Sequence, residues 1–170
     1  MPLQYLTTGF DQRAFRTAMG QFPTGVTVVT GLSDGQPIGF VAQSFVSLSL
    51  EPPLVAVCPG RQSTTWPRLR EGGAYAVNVL AEDQQALCER FARSGGDKFE
   101  GVDWQPGEAL GLPLMPGALL QVECRLAAEH EAGDHWIAVG AVAGFGHADD
   151  GRAPLVFFRG GFPALTTRPD

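Results

Sequence analysis

From Gln121 to Phe145 the chain alternates between apolar and polar positions. Val122, Cys124, Leu126, Ala128 and His130 interleave with Gln121, Glu123, Arg125 and Glu129. After Gly133-Asp134 the set His135, Ile137, Val139, Ala141, Ala143 and Phe145 continues the pattern. A period of two is that of a strand with one face on a core, and Gly-Asp suits a tight turn. The pattern predicts two long antiparallel strands. The β-branched run Val26-Thr27-Val28-Val29-Thr30 predicts a third strand after a turn at Pro23-Thr24-Gly25. Ser33-Asp34-Gly35-Gln36 reads as a hairpin turn into a return strand over residues 37–41. Further strands are predicted over residues 45–50, 54–58, 74–80 and 155–158, with Glu51-Pro52-Pro53 breaking the chain between the first two.

Helical spacing is rarer. Phe10, Ala14, Phe15, Ala18, Met19 and Phe22 recur at that period, predicting a helix over residues 11–21 with Thr8 or Asp11 as cap and Pro23 beyond its end. Ser63-Thr64-Thr65-Trp66-Pro67 reads as a helix start, running to about Glu71 before Gly72-Gly73. A third helix over residues 82–93 has acids in its first turn, Arg90 and Arg93 in its last, and Leu87 and Phe91 toward the core. Residues 94–116 are rich in Gly and Pro without a clear period, and so long a connection is usually functional or wraps the surface. Many strands, few helices and short turns predict one mainly β domain over residues 1–170, an antiparallel barrel with peripheral helices and a core from about 10 to 162.

Composition narrows the function classes. The 170 residues carry a formal net charge of −6, a poor electrostatic match for nucleic acid or an anionic membrane. Lys98 is the single lysine, against 11 arginines. No apolar run reaches transmembrane length, and the N-terminus lacks the basic and apolar regions of a signal peptide. Cys58, Cys88 and Cys124 are far apart and odd in number, with no zinc-type spacing. They read as three buried thiols in a cytoplasmic protein.

Three segments offer chemistry. Arg61-Gln62-Ser63-Thr64-Thr65 at a helix N-terminus would suit a phosphate, or is a helix cap beside a surface arginine. In Gly39-Phe40-Val41-Ala42-Gln43-Ser44-Phe45-Val46-Ser47, the residues Gln43, Ser44 and Ser47 would offer hydrogen bonds to a flat polar ring, or bond locally at a strand edge. Gly133-Asp134-His135 places a histidine at the tip of the long hairpin, as a ligand contact or as a neighbour of an ordinary turn. His130 and His147 read as strand-end residues.

Taken together, these segments resemble the flavin reductase family of two-component monooxygenases. The resemblance rests on Phe22-Pro23-Thr24-Gly25-Val26, the block from Ala42 to Leu54, Arg61 to Trp66, Tyr75 to Leu80, Asp97-Lys98-Phe99-Glu100-Gly101-Val102-Asp103-Trp104, Glu123-Cys124 and Pro154 to Phe162. The GDHxxxxG signature stands as Gly133-Asp134-His135-Trp136-Ile137-Ala138-Val139-Gly140. The chain is similar in type to the small reductase partners of 4-hydroxyphenylacetate and phenol hydroxylases. Three positions depart from the family's pattern: Gln43 and Val46, where Asn and Thr are frequent, and Phe162, where Tyr is usual. Gln43 retains an amide, whereas Val46 and Phe162 bring no hydroxyl.

The resemblance implies an FMN-binding split β-barrel of Greek-key type, a homodimer, FMN or FAD as flavin, NADH or NADPH as hydride donor, and a separate oxygenase that receives reduced flavin. It assigns the flavin ring and ribityl to Thr24, Gly25, Val26, Gln43, Ser44, Phe45 and Ser47, with Cys58 packed near the ring. It assigns the flavin phosphate to Arg61, Ser63, Thr64 and Thr65, with Lys98 and Phe99 closing over the ligand. Asp134 and His135 would meet the nicotinamide or its ribose, His135 being the catalytic candidate, and Arg159 would approach the flavin or the second nucleotide. The alternatives are a non-catalytic or electron-transfer flavin protein on the same barrel, and a split-barrel oxidase of a phosphorylated amine.

Overall fold

A computed structural model of the chain describes residue 9 and residues 11–165. Phe10 and Thr8, named above for the first helix, lie outside them. Seven strands form one antiparallel sheet: β2 (Thr27–Ser33), β3 (Gln36–Ala42), β4 (Val46–Leu50), β5 (Pro53–Val57), β6 (Ala74–Val79), β9 (Leu120–Ala132) and β10 (His135–His147). Their spatial order is β3-β2-β6-β9-β10-β5-β4, so the long hairpin is the middle of the sheet and joins its two halves. The other four strands among the described residues are short pairs, β7 (Gln105–Pro106) with β8 (Pro113–Leu114), and β1 (Thr24–Gly25) with β11 (Val156–Phe157). The expected turn at residues 23–25 is therefore partly a strand, because Thr24 and Gly25 pair with Phe157 and Val156.

Two apolar clusters fill the barrel. One gathers Val29, Val57, Trp66, Leu69, Tyr75, Val77, Val122, Cys124 and Ala138. The other gathers Val26, Val28, Leu80, Cys88, Phe91, Phe99, Met115 and Leu155. Gly140 lets strands meet over this core, since a Cβ there would lie 2.4 Å from the Tyr75 hydroxyl. Burial pushes the thiol of Cys124 up to about 12, with nearby Glu123 adding to the effect. Cys58 departs from the expectation of three buried thiols: it sits half-buried just past the end of β5.

The helices are shorter than expected. α1 (Gln12–Met19) starts at Asp11, whose carboxylate accepts from the Ala14 N–H at 2.6 Å, and stops at Gly20 ahead of Pro23. No residue of α1 is buried, and Phe22 just beyond it is 75% exposed. α2 (Trp66–Gly72) packs Trp66 and Leu69 inward and ends at Gly73, whose φ of 66° is the left-handed C-cap conformation. The third predicted helix divides into a 3₁₀ turn, Glu82–Gln84, and α3 (Gln85–Ala92), which buries Cys88 and Phe91.

Inside the long connection, the buried carboxylate of Glu123 organises residues 107–112. It accepts from the backbone N–H groups of Ala109 (2.9 Å), Leu110 (2.9 Å) and Leu112 (3.2 Å). Three donors on one ionised acceptor satisfy polar groups that burial would otherwise leave costly.

Candidate active site

The sheet register brings several distant segments to one rim. Thr27 pairs with Ala42, and the Thr27 hydroxyl donates to the Ala42 carbonyl at 2.8 Å. The chain before Thr27 and the chain after Ala42 therefore leave the sheet side by side. That sets Thr24, Gly25 and Val26 next to Gln43, Ser44 and Phe45. The Ser44 hydroxyl accepts from the Cys58 N–H at 2.8 Å, which ties this loop to the end of β5. From Cys58 the chain runs straight into the hairpin tip. The Trp136 N–H donates to the Pro59 carbonyl (2.9 Å), the Arg61 N–H donates to the Asp134 carbonyl (2.9 Å), and Gly60 bridges to His135.

Two of these residues have unspent polar capacity. The Thr24 hydroxyl is buried and has no hydrogen-bond partner among the described residues. Gln43 is exposed with its amide likewise unpaired among them. Val26 is fully buried and contributes backbone only: its N–H donates to Leu155 and its carbonyl accepts from Leu80. Phe45 is half-buried against the core, and Ser47 is exposed on β4, the edge strand.

At the tip, His135 Nδ1 lies 2.7 Å from the Asp134 carboxylate, with the imidazole half exposed. The hydrogen bond to His135, and then its charge, hold the Asp134 carboxyl below the usual carboxylate range. An ionised Asp134 accepts from Nδ1–H, which leaves Nε2 as the nitrogen not engaged by Asp134. Nε2 looks toward Gly60, where an added Cβ would come within 3.8 Å of it.

Two of the residues expected around a phosphate, Ser63 and Arg61, are engaged with protein groups. The Ser63 hydroxyl accepts from the N–H groups of Trp66 (3.0 Å) and Thr65 (3.3 Å), so it caps α2. Thr65 makes no cap bond of its own, and Thr64 is exposed. Arg61 pairs with Glu131 at 3.3 Å and lies 5.0 Å from the centre of the Trp136 ring. The lone lysine stands apart from the rim: Lys98 Nζ donates to the Phe91 carbonyl (3.0 Å), capping the C-terminal end of α3, and burial lowers its pKa. Phe99 packs edge-on against Phe91 at 5.0 Å. Lys98 and Phe99 share with Thr65, Arg68 and Trp104 the wall of a cavity of about 620 Å³ beside the β2–β3 turn. Arg159 joins α1 to the chain's end, its Nε donating to Gln21 (2.9 Å) and its N–H to the Gly20 carbonyl (3.2 Å).

Sequence reasoning missed one group at this rim. Glu129, Arg70 and Trp136 form a contact set with Trp66 and Arg61. Only the strand register reveals it, because the five residues span four segments.

A family model described as the flavin reductase like domain matches residues 19–166. The chain belongs to the flavin reductase family. It is 46% identical over 155 residues to the reductase subunit HsaB of a flavin-dependent monooxygenase from Rhodococcus jostii, covering 91% of this chain and 78% of that one. It is 44% identical to the FMN reductase (NADH) SmoA of Agrobacterium fabrum, covering 93% and 88%. Among solved structures it superposes on the NADH:FAD oxidoreductase SgcE6 of Streptomyces globisporus in complex with NAD and FAD fragments. The TM-score is 0.90 at 37% identity, over 98% of this chain and 100% of that one. The fold is the split barrel of flavin reductases, as the family's motifs in the sequence implied. Among the described residues no helix is long and apolar enough to cross a membrane.

Proposed function

We propose that the chain is an NAD(P)H:flavin oxidoreductase that reduces FMN or FAD and supplies the reduced flavin to a separate monooxygenase in the cytoplasm. The names of its relatives support NADH as the donor and an oxygenase as the recipient. The observation that carries the reading is the Asp134–His135 pair, held at the rim beside the Thr24, Gln43–Phe45 and Cys58–Arg61 segments.

A flavin fits this rim on the structure's own terms. The unpartnered Thr24 hydroxyl and the free Gln43 amide are the kind of donors that a pyrimidine edge or ribityl chain needs. The bound flavin supplies the hydride acceptor, which is chemistry that no side chain here can provide. What the chain contributes is position. His135 Nε2 would accept from the carboxamide of the nicotinamide and hold the ring over the rim. Asp134 fixes the tautomer that makes this possible. Gln43 and backbone N–H groups of the same loop would donate to the ring edge where negative charge develops. Arg61 meets a phosphate by exchanging Glu131 for it. Phosphate contacts from Thr65 and Lys98 would come from the side of the cavity they line together with Phe99, and Thr64 is exposed next to Thr65 in the chain.

The assay is direct. Purified protein is mixed with NADH or NADPH and catalytic free FMN or FAD, and nicotinamide absorbance is followed. Flavin-dependent oxidation is expected; none with either nucleotide refutes the reading and leaves a non-catalytic flavin carrier. We further infer a homodimer. β4 is a sheet edge with Val46, Leu48 and Leu50 exposed, the last at 89%, and Met19 and Phe22 are exposed as well. An uncovered apolar edge invites pairing, and a second copy covers it. Sedimentation as a monomer at micromolar concentration contradicts the dimer.

A further inference from the structure

The outer end of the long hairpin lacks a sheet neighbour on its β9 side. β6 pairs with β9 from Leu120 to Arg125, with one more bond from the Leu126 N–H to the Gly73 carbonyl. Beyond that, residues 127–132 of β9 pair only with β10 among the described residues. On the other side, β10 is held by Val57 of β5 and by backbone contacts to residues 59–61, so β9 is the free edge of a ribbon with the Asp134–His135 pair at its tip.

Side chains take over where the sheet stops. Glu131 is opposite Trp136 and Glu129 is opposite Ala138, so Glu129, Glu131 and Trp136 share one face of the ribbon, while His135 is on the other. The Glu129 carboxylate, only 14% exposed, accepts from the indole N–H of Trp66 at 2.5 Å and from Arg70 at 3.0 Å. The guanidinium groups of Arg61 and Arg70 lie 5.0 and 5.6 Å from the Trp136 ring centre. Trp66 itself is 1% exposed and opens α2, directly after residues 61–65.

We propose that Glu129 is a positioning residue for hydride transfer. The β10 side of the ribbon is tied to residues 59–61 by backbone contacts; by joining Trp66 and Arg70 of α2 to the β9 side, Glu129 fixes the twist of the ribbon and with it the direction His135 faces. The proposal rests on the reading that His135 orients the nicotinamide over a flavin bound at this rim. A ribbon held on its β10 side alone would twist about those contacts and carry His135 with it, and hydride transfer is steep in the separation of the two rings.

The test is single-turnover reduction of enzyme-bound flavin by NADH in the full-length protein. Glu129→Gln can satisfy Trp66 or Arg70 but not both, and should slow hydride transfer about tenfold or more while flavin affinity stays within about twofold. Arg70→Gln keeps the Trp66 bond and should slow the step in the same direction by a smaller factor. Glu123→Gln, at the opposite end of β9, is the control: it should lower melting temperature and leave the hydride-transfer rate unchanged. Wild-type rates in both Glu129→Gln and Arg70→Gln overturn the proposal. So does slowing in all three variants in proportion to their loss of melting temperature. A wild-type protein that transfers no hydride overturns the function reading and this inference with it, so the two failures are distinguishable.

Discussion

Thr24→Val separates a ligand-binding hydroxyl from a structural one. The Thr24 hydroxyl is buried without a partner among the described residues, while the backbone of its strand pairs with Phe157. Leaving such a hydroxyl unpaired costs about 1–3 kcal/mol in mutational data. Valine keeps the shape and β-branching of threonine and removes the penalty. The flavin-free protein should therefore gain about 1–2 kcal/mol. At about 2–4 °C per kcal/mol for a chain of this size, melting temperature should rise by roughly 2–8 °C. With flavin bound the sign reverses, because valine cannot donate. One neutral hydrogen bond, about 0.5–1.5 kcal/mol, is lost, and Kd should rise about two- to twelvefold. Differential scanning fluorimetry with and without FMN or FAD reads the first effect, and fluorescence titration reads the second. A variant less stable than wild type without flavin would show that the hydroxyl already has a partner. Unchanged flavin affinity would remove Thr24 from the site.

Other substitutions and conditions probe the remaining contacts. The Asp134 carboxyl is held below the usual carboxylate range by His135, so the pairing is complete above the unfolded value and is lost only as pH falls through the depressed one. Wild-type kcat/KM for NADH should show no Asp134 limb between about pH 5 and 8, and Asp134→Asn should raise the NADH KM across that range with flavin affinity unchanged. Native protein treated with iodoacetamide at pH 8 should be alkylated at half-buried Cys58 alone, since burial raises the pKa of both Cys88 and Cys124; intact-mass and peptide analysis reads this. Lys98→Met removes the cap on α3 and should cost about 1 kcal/mol, or roughly 2–4 °C in melting temperature; an equal melting temperature with weaker flavin binding would mean that Lys98 serves the ligand instead. Glu123→Gln turns an amide N–H₂ toward a backbone N–H and should cost about 2–4 kcal/mol by chemical denaturation.

The strands were legible from alternation or, where both faces are buried, from runs of β-branched residues. The alternation of residues 121–145 specified β9 and β10, and the β-branched run at 26–30 specified most of β2. The fate of α1 was not legible, because a helix period reports an apolar stripe and is silent about what covers it. The segments that meet at the rim were legible through the family's motifs, but their connections were not. Ser63 had two readings from sequence, and the structure gives it the cap. Lys98 stood out as the single lysine, yet its ammonium group is bound to a helix carbonyl seven residues earlier in the chain. Glu129 looked like any polar position of an alternating strand. Only the register of the hairpin against α2 shows that its carboxylate is shared by an indole and a guanidinium.

That register also reconciles an acidic chain with two anionic ligands. A net charge of −6 excludes a broad basic footprint, but it is the local pairing that decides what a phosphate meets. Arg61 is half exposed and bound to Glu131, an exposed carboxylate, at 3.3 Å. Such a surface pair is worth little, about 0–1 kcal/mol, so exchanging Glu131 for a phosphate costs little. Arg70 differs, because its partner Glu129 is mostly covered and is also bound to Trp66. Removing Arg70 from that carboxylate would leave a covered charge short of a partner, which is the expensive case. The two guanidinium groups lie over the same indole ring, so equal chemistry is divided by burial into two duties. On the proposed reading, Arg61 is the one free to follow a ligand, while Arg70 stays on Glu129 and the ribbon.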